Sequence, residues 1–368
     1  MFFCMTLQPQ RMRGGNSLPV ERIKTILLIQ FGDIGDVVYS FPCARALKET
    51  MPEAKLVFAV RQKAAGLIEG CQWADEVIAV DGTPHGGVWG TLRSQWRFWR
   101  AVWRYRFDLA IDLRTGTRGA ILAFLSGASF RLAPYALDGT LWRNRLFTHL
   151  VMPSGKQQQF IVEHYLETLA PYGIHTESLL PEINVSPKQL AEADGLLAAY
   201  GLEGRNKMVA IQPFSLWSYK EWRKEKMAAL IRQVHEEYGV PVLLVGGPDE
   251  RERAKEIAAL AGKGVFNLVG KTSIALLPAL LQKCCFFIGV DSAGLHIAAA
   301  VGTPTIGLYG PSAFATWAPR GERHLVVHKD FSCVPCNRKG CGNSQISRCM
   351  EELGVEEVFS VVRKQLIG

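Results

Sequence analysis

The sequence predicts an α/β protein with two parallel sheets. Three observations carry this. Short runs rich in Val, Ile and Leu alternate with helical stretches; a unit of strand, polar elbow and helix recurs near both ends; and 368 residues are long for one core but ample for two. The apolar runs lie over 26–29, 55–60, 109–113, 208–212, 242–245 and 286–290, where their length and composition suit buried parallel strands. The segment 181–187, PEINVSP, is the best linker, separating a domain over 21–185 from one over 186–368, with 1–20 as a disordered lead or an extended start.

The first elbow is TILLIQFGDIGDVVYSFPCARAL. A strand over 26–29 feeds a Gly-rich turn over 31–36, and a helix follows from Val37, with Pro42 either kinking it or resetting its start. The glycines are spaced G-x-x-G, not as in the dinucleotide fingerprint, and Asp33 and Asp36 would repel a pyrophosphate on this turn. A carboxylate at a helix N-terminus has its charged form favoured, which suits a general base; from the residues alone each Asp reads first as a helix cap.

The middle of the first half is strongly basic. The chain's net charge is +8, and between Arg93 and Arg145 there are ten arginines against three aspartates. Arg93, Arg97, Arg100 and Arg104 share a helical spacing, as do Trp96, Trp99 and Trp103, which makes a basic, aromatic amphipathic helix. Such a helix rests on anionic lipid headgroups, holds a phosphorylated glycolipid, or simply packs its Trp face on the sheet. Nucleic acid is not expected, since no nucleic-acid motif accompanies the charge. Arg114, Thr115 and Arg118 follow the strand over 109–113, at the strand end where open α/β sheets bind ligands, with Arg143 and Arg145 as further partners.

The second elbow is CCFFIGVDSAGLHIAAAVGTPTIGLYGPS. The small residues Ser292, Ala293 and Gly294 after Asp291 leave the first-turn N–H groups of the next helix open to a phosphate, and His296 lies one turn in. The alternative is an ordinary βαβ crossover with a capping Asp and a packed His.

Taken together, ILLIQFGDIGDVVYSFPCARALK, IQPFSLWSYKEWRKEKMAALI and GVDSAGLHIAAAVGTPTIGLYGPS resemble glycosyltransferase family 9, the ADP-heptose:lipopolysaccharide heptosyltransferases, in order and spacing. The resemblance implies a GT-B architecture, two Rossmann-like domains facing a cleft, and an inverting transfer of heptose from ADP-heptose to the lipopolysaccharide inner core of lipid A-Kdo type. Position by position it implies Asp36 as the base and Lys220 as the lysine on the donor diphosphate. Asp291, Ser292, Ala293, Gly294 and His296 match the phosphate-proximal motif, and Ser215 the Pro-x-Ser turn. Glu250, in GGPDE, matches the acidic residue near the nucleoside, or serves as a helix-start charge; Thr272 and Ser273 fall where backbone atoms meet adenine. Asp33, Arg114 and Arg118 would face the acceptor. No cofactor is implied, because a lysine and helix N–H groups can stabilise the leaving diphosphate without a divalent metal. The family's His-Pro-Gly turn appears here as Gln212-Pro213-Phe214, which leaves open another sugar or acceptor; a non-catalytic glycolipid-binding protein on the same fold is the rival class.

Four of the nine cysteines, Cys333, Cys336, Cys341 and Cys349, cluster as C-x2-C-x4-C-x7-C. They fit a structural zinc, an iron–sulfur cluster, a disulfide pair or reduced thiols, in each case a structural role. No apolar run is long enough to span a membrane, and the opening residues lack a signal peptide's order, so a cytoplasmic protein peripheral to the inner face of the inner membrane is expected.

Overall fold

The computed structural model describes residues 9–14, 17–80, 87–137, 141–205 and 207–367. The chain forms two compact units, Met1–Pro181 and Glu182–Gly368. The second unit's first helix, Pro187–Ala198, begins at the last residue of the 181–187 segment. Ser186 caps it by accepting the Gln189 N–H at 3.3 Å, and Pro187 takes the first turn, where its missing N–H costs no bond.

The first unit holds strands β1 (Gln10–Arg13), β2 (Thr25–Gln30), β3 (Lys55–Arg61), β4 (Glu76–Val80), β5 (Leu109–Asp112), β6 (Phe130–Pro134) and β7 (His149–Met152), in the order β1-β7-β6-β5-β2-β3-β4. All neighbours run parallel except β1 and β7. Ile26, Leu27, Leu28 and Ile29 are wholly buried, as a central strand covered on both faces requires. Within the 1–20 lead, Gln10–Arg13 are extended and pair antiparallel with β7, so that they cover an otherwise open sheet edge. Residues 1–8, 15 and 16 of that lead lie outside the described residues. Pro42 resets the helix: Ile34–Tyr39 ends at Ser40, and Phe41–Thr50 starts anew with the proline in its first turn.

The second unit holds β8 (Val209–Gln212), β9 (Val242–Leu244), β10 (Val265–Asn267), β11 (Phe286–Val290), β12 (Thr305–Leu308) and β13 (His324–Val327), an all-parallel sheet in the order β10-β9-β8-β11-β12-β13. Its core joins Ile211, Leu244 and Ile288 to Met227 and Ile231 of the helix Lys224–Tyr238 and to Val358 and Val362 of the helix Val355–Ile367.

Each sheet has one point where the strand order reverses, between β2 and β5 in the first unit and between β8 and β11 in the second. There Ile29 lies opposite Asp112, and Gln212 opposite Gly289. Loops leaving the C-terminal ends of such a strand pair part to opposite faces and leave a crevice for a ligand.

Candidate active site

In the first unit the two loops at the reversal point meet at Asp36. This residue is the third of the helix Ile34–Tyr39 and reaches back so that its Oδ2 accepts the Asp33 N–H at 2.8 Å, as an N3 acid does in a capping box. Its Oδ1 accepts from the Tyr165 hydroxyl at 2.6 Å and faces Arg114 Nη1 at 3.0 Å. Gly32 makes the approach possible: a Cβ there would lie 2.5 Å from both Asp36 Cγ and Arg114 Nη1. Burial, and then the charge of Asp36, hold the Tyr165 hydroxyl well above the usual tyrosine range, so it remains a donor. Thus Asp36 is an oriented carboxylate, 13% exposed, within reach of solvent.

Asp33 has different partners. Its Oδ1 pairs with Lys63 at 2.7 Å and Arg61 at 3.5 Å, from the end of β3 and the turn beyond it. Those two cations and Arg118 line a pocket of about 770 Å³ whose apolar walls include Phe31, Trp99 and Ile121. Of the expected acceptor trio, Arg114 therefore sits on Asp36, Arg118 lines the pocket, and Asp33 holds two of the pocket's cations. Arg143 is not a surface partner at all. It is fully buried, donates to Pro134 O at 2.8 Å and pairs with buried Asp112 at 3.3 Å. Burial pushes the Asp112 carboxyl up to about 7, against the lowering pull of Arg143 and the Arg114 N–H.

In the second unit the loops after β8 and β11 meet at Asp291. Lys220 Nζ lies 2.6 Å from Asp291 Oδ2, His296 Nε2 is 3.6 Å from Oδ1, and the Ser215 hydroxyl donates to the Asp291 carbonyl at 3.2 Å. Burial would raise the Asp291 carboxyl, but the His296 hydrogen bond and the Lys220 charge outweigh it and hold it well below the usual carboxylate range. Ser292 is the extended cap residue of the helix Ala293–Ala300. One first-turn donor expected to stand open is occupied: Gln212 Oε1 accepts the Gly294 N–H at 3.0 Å and the Ser292 hydroxyl at 3.2 Å. A side chain on residue 294 would collide with that oxygen, so the glycine is required for this contact.

Comparison with known proteins follows the same lines. Residues 95–347 match the model of glycosyltransferase family 9 (heptosyltransferase). The chain belongs to glycosyltransferase family 9. It is 30% identical to lipopolysaccharide heptosyltransferase 3 of Escherichia coli over 77% of this chain and 83% of the relative. A family 9 glycosyl transferase from Veillonella parvula superposes with a TM-score of 0.81 at 19% identity, covering 96% of this chain and 99% of the other. E. coli heptosyltransferase WaaC with ADP-2-deoxy-2-fluoro heptose gives 0.69 at 20% identity, covering 92% and 99%. The fold is the GT-B class of α/β protein and the chain is a glycosyltransferase.

The family 9 motifs are therefore grouped by unit, Asp33, Asp36 and Arg114 in the first and Ser215, Lys220, Asp291, Ser292, Ala293, Gly294 and His296 in the second. Glu250 accepts the Gly247 N–H at 2.6 Å at the start of the turn Pro248–Glu250, and burial raises its carboxyl. Thr272 is half-buried in the turn after β10. Phe214, at the family's glycine position, is buried beneath the Arg253 guanidinium, 4.7 Å from its ring, and walls a pocket of about 300 Å³. Tyr165 carries no motif, and its link to Asp36 is invisible across 129 residues. Gln212, the last residue of β8, left a signal as a departure from the His-Pro-Gly turn that the resemblance implies.

The four clustered cysteines are unpaired thiols: Cys333 and Cys341 exposed, Cys336 half-buried, Cys349 buried. Among the described residues no group of three or more His, Cys, Asp or Glu that could hold a metal ion is found. No described helix is long and apolar enough to cross a membrane.

Proposed function

We propose that the enzyme transfers heptose from ADP-heptose to the inner core of a lipid A-Kdo type lipopolysaccharide, with inversion, at the inner face of the inner membrane. The observation that carries this reading is the oriented, partly exposed Asp36 at the reversal point of the first sheet, beside a cationic pocket fit for an anionic sugar. The acceptor hydroxyl oxygen attacks the anomeric carbon, the bond from that carbon to the diphosphate breaks, and Asp36 takes the hydroxyl proton. ADP leaves with the bonding pair. Lys220 and the positive end of the helix Ala293–Ala300 stabilise its growing charge, which needs no divalent metal. Because Lys220 also pairs with Asp291, the diphosphate and that carboxylate compete for one ammonium. Glu250 and the Thr272 backbone are placed at the nucleoside in this reading.

A second reading keeps the chemistry and changes the sugar or the acceptor. Phe214 and Gln212 favour it, since both differ from the family's turn beside the donor motif.

Calorimetry with ADP, UDP, GDP, CDP and ADP-heptose, followed by transfer to heptose-deficient core and assignment of the product anomer, tests both. Selective ADP binding and an inverted product support the first reading. Selectivity for another nucleotide supports the second, and no nucleotide binding defeats both. Asp36→Asn should lower kcat by about 10²–10⁴-fold with donor affinity unchanged, and unaltered turnover would remove the base assignment.

A further inference from the structure

Two helices of the first unit carry a face that the chemistry above does not use. In the helix Thr117–Leu125, Gly119, Ala120, Leu122 and Ala123 pack inward, yet Ile121, Phe124 and Leu125 are 41, 49 and 39% exposed on the outside. Beyond Thr117 and Arg118 in its first turn this helix is apolar on every side, which belongs in an apolar setting and not in water. Beside it, the helix Gly87–Arg104 buries Val102 but leaves Trp96 and Trp103 at 59 and 56% exposure. The two are joined by the Trp103 indole N–H, which donates to Leu125 O at 2.8 Å.

The charge on this face has one sign. Neither helix carries an Asp or Glu, while Arg93, Arg100 and Arg104 are exposed on the first, and Arg100 lies 5.2 Å over the Trp96 ring. Indoles and arginines around an apolar stripe are the composition of an interfacial helix, with rings at headgroup level and guanidiniums on lipid phosphate. The same two helices supply Trp99, Arg118 and Ile121 to the cationic pocket, so the face is continuous with it.

We propose that this face docks on an anionic phospholipid bilayer, presenting the pocket to the headgroup of a membrane-anchored acceptor. The proposal deepens the transferase reading by naming the surface on which a lipid-borne acceptor is met. The charge argues for a membrane over a second copy of the chain, because the basic face of a copy would repel this one.

The test is vesicle flotation of the whole protein on phosphatidylcholine with and without phosphatidylglycerol, at low and high salt. The wild type should float with the anionic vesicles and detach in salt, and brominated acyl chains should quench emission that Trp96→Phe removes. Replacing Arg93, Arg100 and Arg104 together by Gln should weaken binding by about a hundred-fold, at about five-fold for each arginine near an anionic surface. Trp96→Ser with Phe124→Ser should weaken it more than ten-fold on the same vesicles, while ADP binding and turnover of a deacylated, water-soluble acceptor persist. Absence of wild-type flotation, undiminished flotation of both variants, or a dimer that the variants abolish would overturn the proposal. Normal flotation without any glycosyl transfer would instead defeat the transferase reading and leave the membrane face standing.

Discussion

The Tyr165 hydroxyl donates to Asp36 Oδ1 at 2.6 Å from a buried position, and it shares that oxygen with Arg114. The helix Ile161–Leu166 thereby fixes the direction of a carboxylate that belongs to the first turn of the helix Ile34–Tyr39. A neutral donor in that place orients the oxygen without adding a second positive charge beside Arg114.

Tyr165→Phe keeps the ring and removes only this bond. A hydrogen bond to a charged group is worth about 1.5–3 kcal/mol, so kcat should fall roughly ten-fold or more. Donor KM should stay as it is, because Lys220 and Asp291 lie in the other unit. Steady-state kinetics checks this, and a rise in donor KM with unchanged kcat would contradict it.

Gly32→Ala probes the same carboxylate from the backbone side. The new methyl would lie 2.5 Å from Asp36 Cγ and Arg114 Nη1, so the arginine tip can swing away but the short aspartate must shift. Misplacement of a reacting group by about 1 Å costs on the order of 10²-fold in rate. The expected pattern is a large loss of kcat with a small change in Tm, measured by pairing kinetics with thermal unfolding.

Lys220→Ala leaves Asp291, 6% exposed, facing His296 without the ammonium. Removing one partner of a mostly buried pair should destabilise the fold by roughly 3 kcal/mol, and ADP should bind at least ten-fold more weakly in calorimetry. The depressed Asp291 carboxyl also sets a pH dependence. The unfolded chain takes up this proton before the folded protein does, so the stabilisation is complete above the ordinary carboxylate value and is lost as pH falls below it. Acid denaturation of Lys220→Ala should begin at higher pH than that of the wild type.

The sheets were legible because their strands are continuous apolar runs, such as TILLIQ and FFIGV, between polar elbows. Asp36 and Asp291 drew attention because each stands in a short polar elbow after a strand, whereas Lys220 was singled out only by the resemblance to the family's third motif. What stayed hidden depends on contacts between distant segments. Tyr165 reads as one aromatic in an ordinary helix, and Arg143 reads as a surface cation until Asp112 is found beneath it. Gln10–Arg13 have no apolar pattern, since an edge strand is held by backbone pairing with β7 and all four side chains are exposed. Gln212 was visible as a departure from the family's histidine, but its hold on Gly294 required the register of β8 against β11.

Asp112 gives the opposite pH dependence from Asp291. Its carboxyl is pushed up to about 7 by burial, so between the ordinary carboxylate value and about 7 the folded protein holds a proton that the unfolded chain has released. Stability contributed here is present at low pH and falls as pH rises through this window. Gly119 presses on the group, since a Cβ there would come within 2.5 Å of Asp112 Oδ2, and the helix Thr117–Leu125 keeps water away from it. Asp112→Asn retains an acceptor for Arg143 and removes the titration. The variant should be about as stable as the wild type at low pH, where the wild-type carboxyl is also neutral beside Arg143. Its denaturant midpoint should change less between pH 5 and pH 8 than the wild type's, over the window that ends at about 7. Equal pH slopes in chemical unfolding of the two proteins would show that Asp112 is ionised throughout that range, and would return the buried pair to a permanent salt bridge.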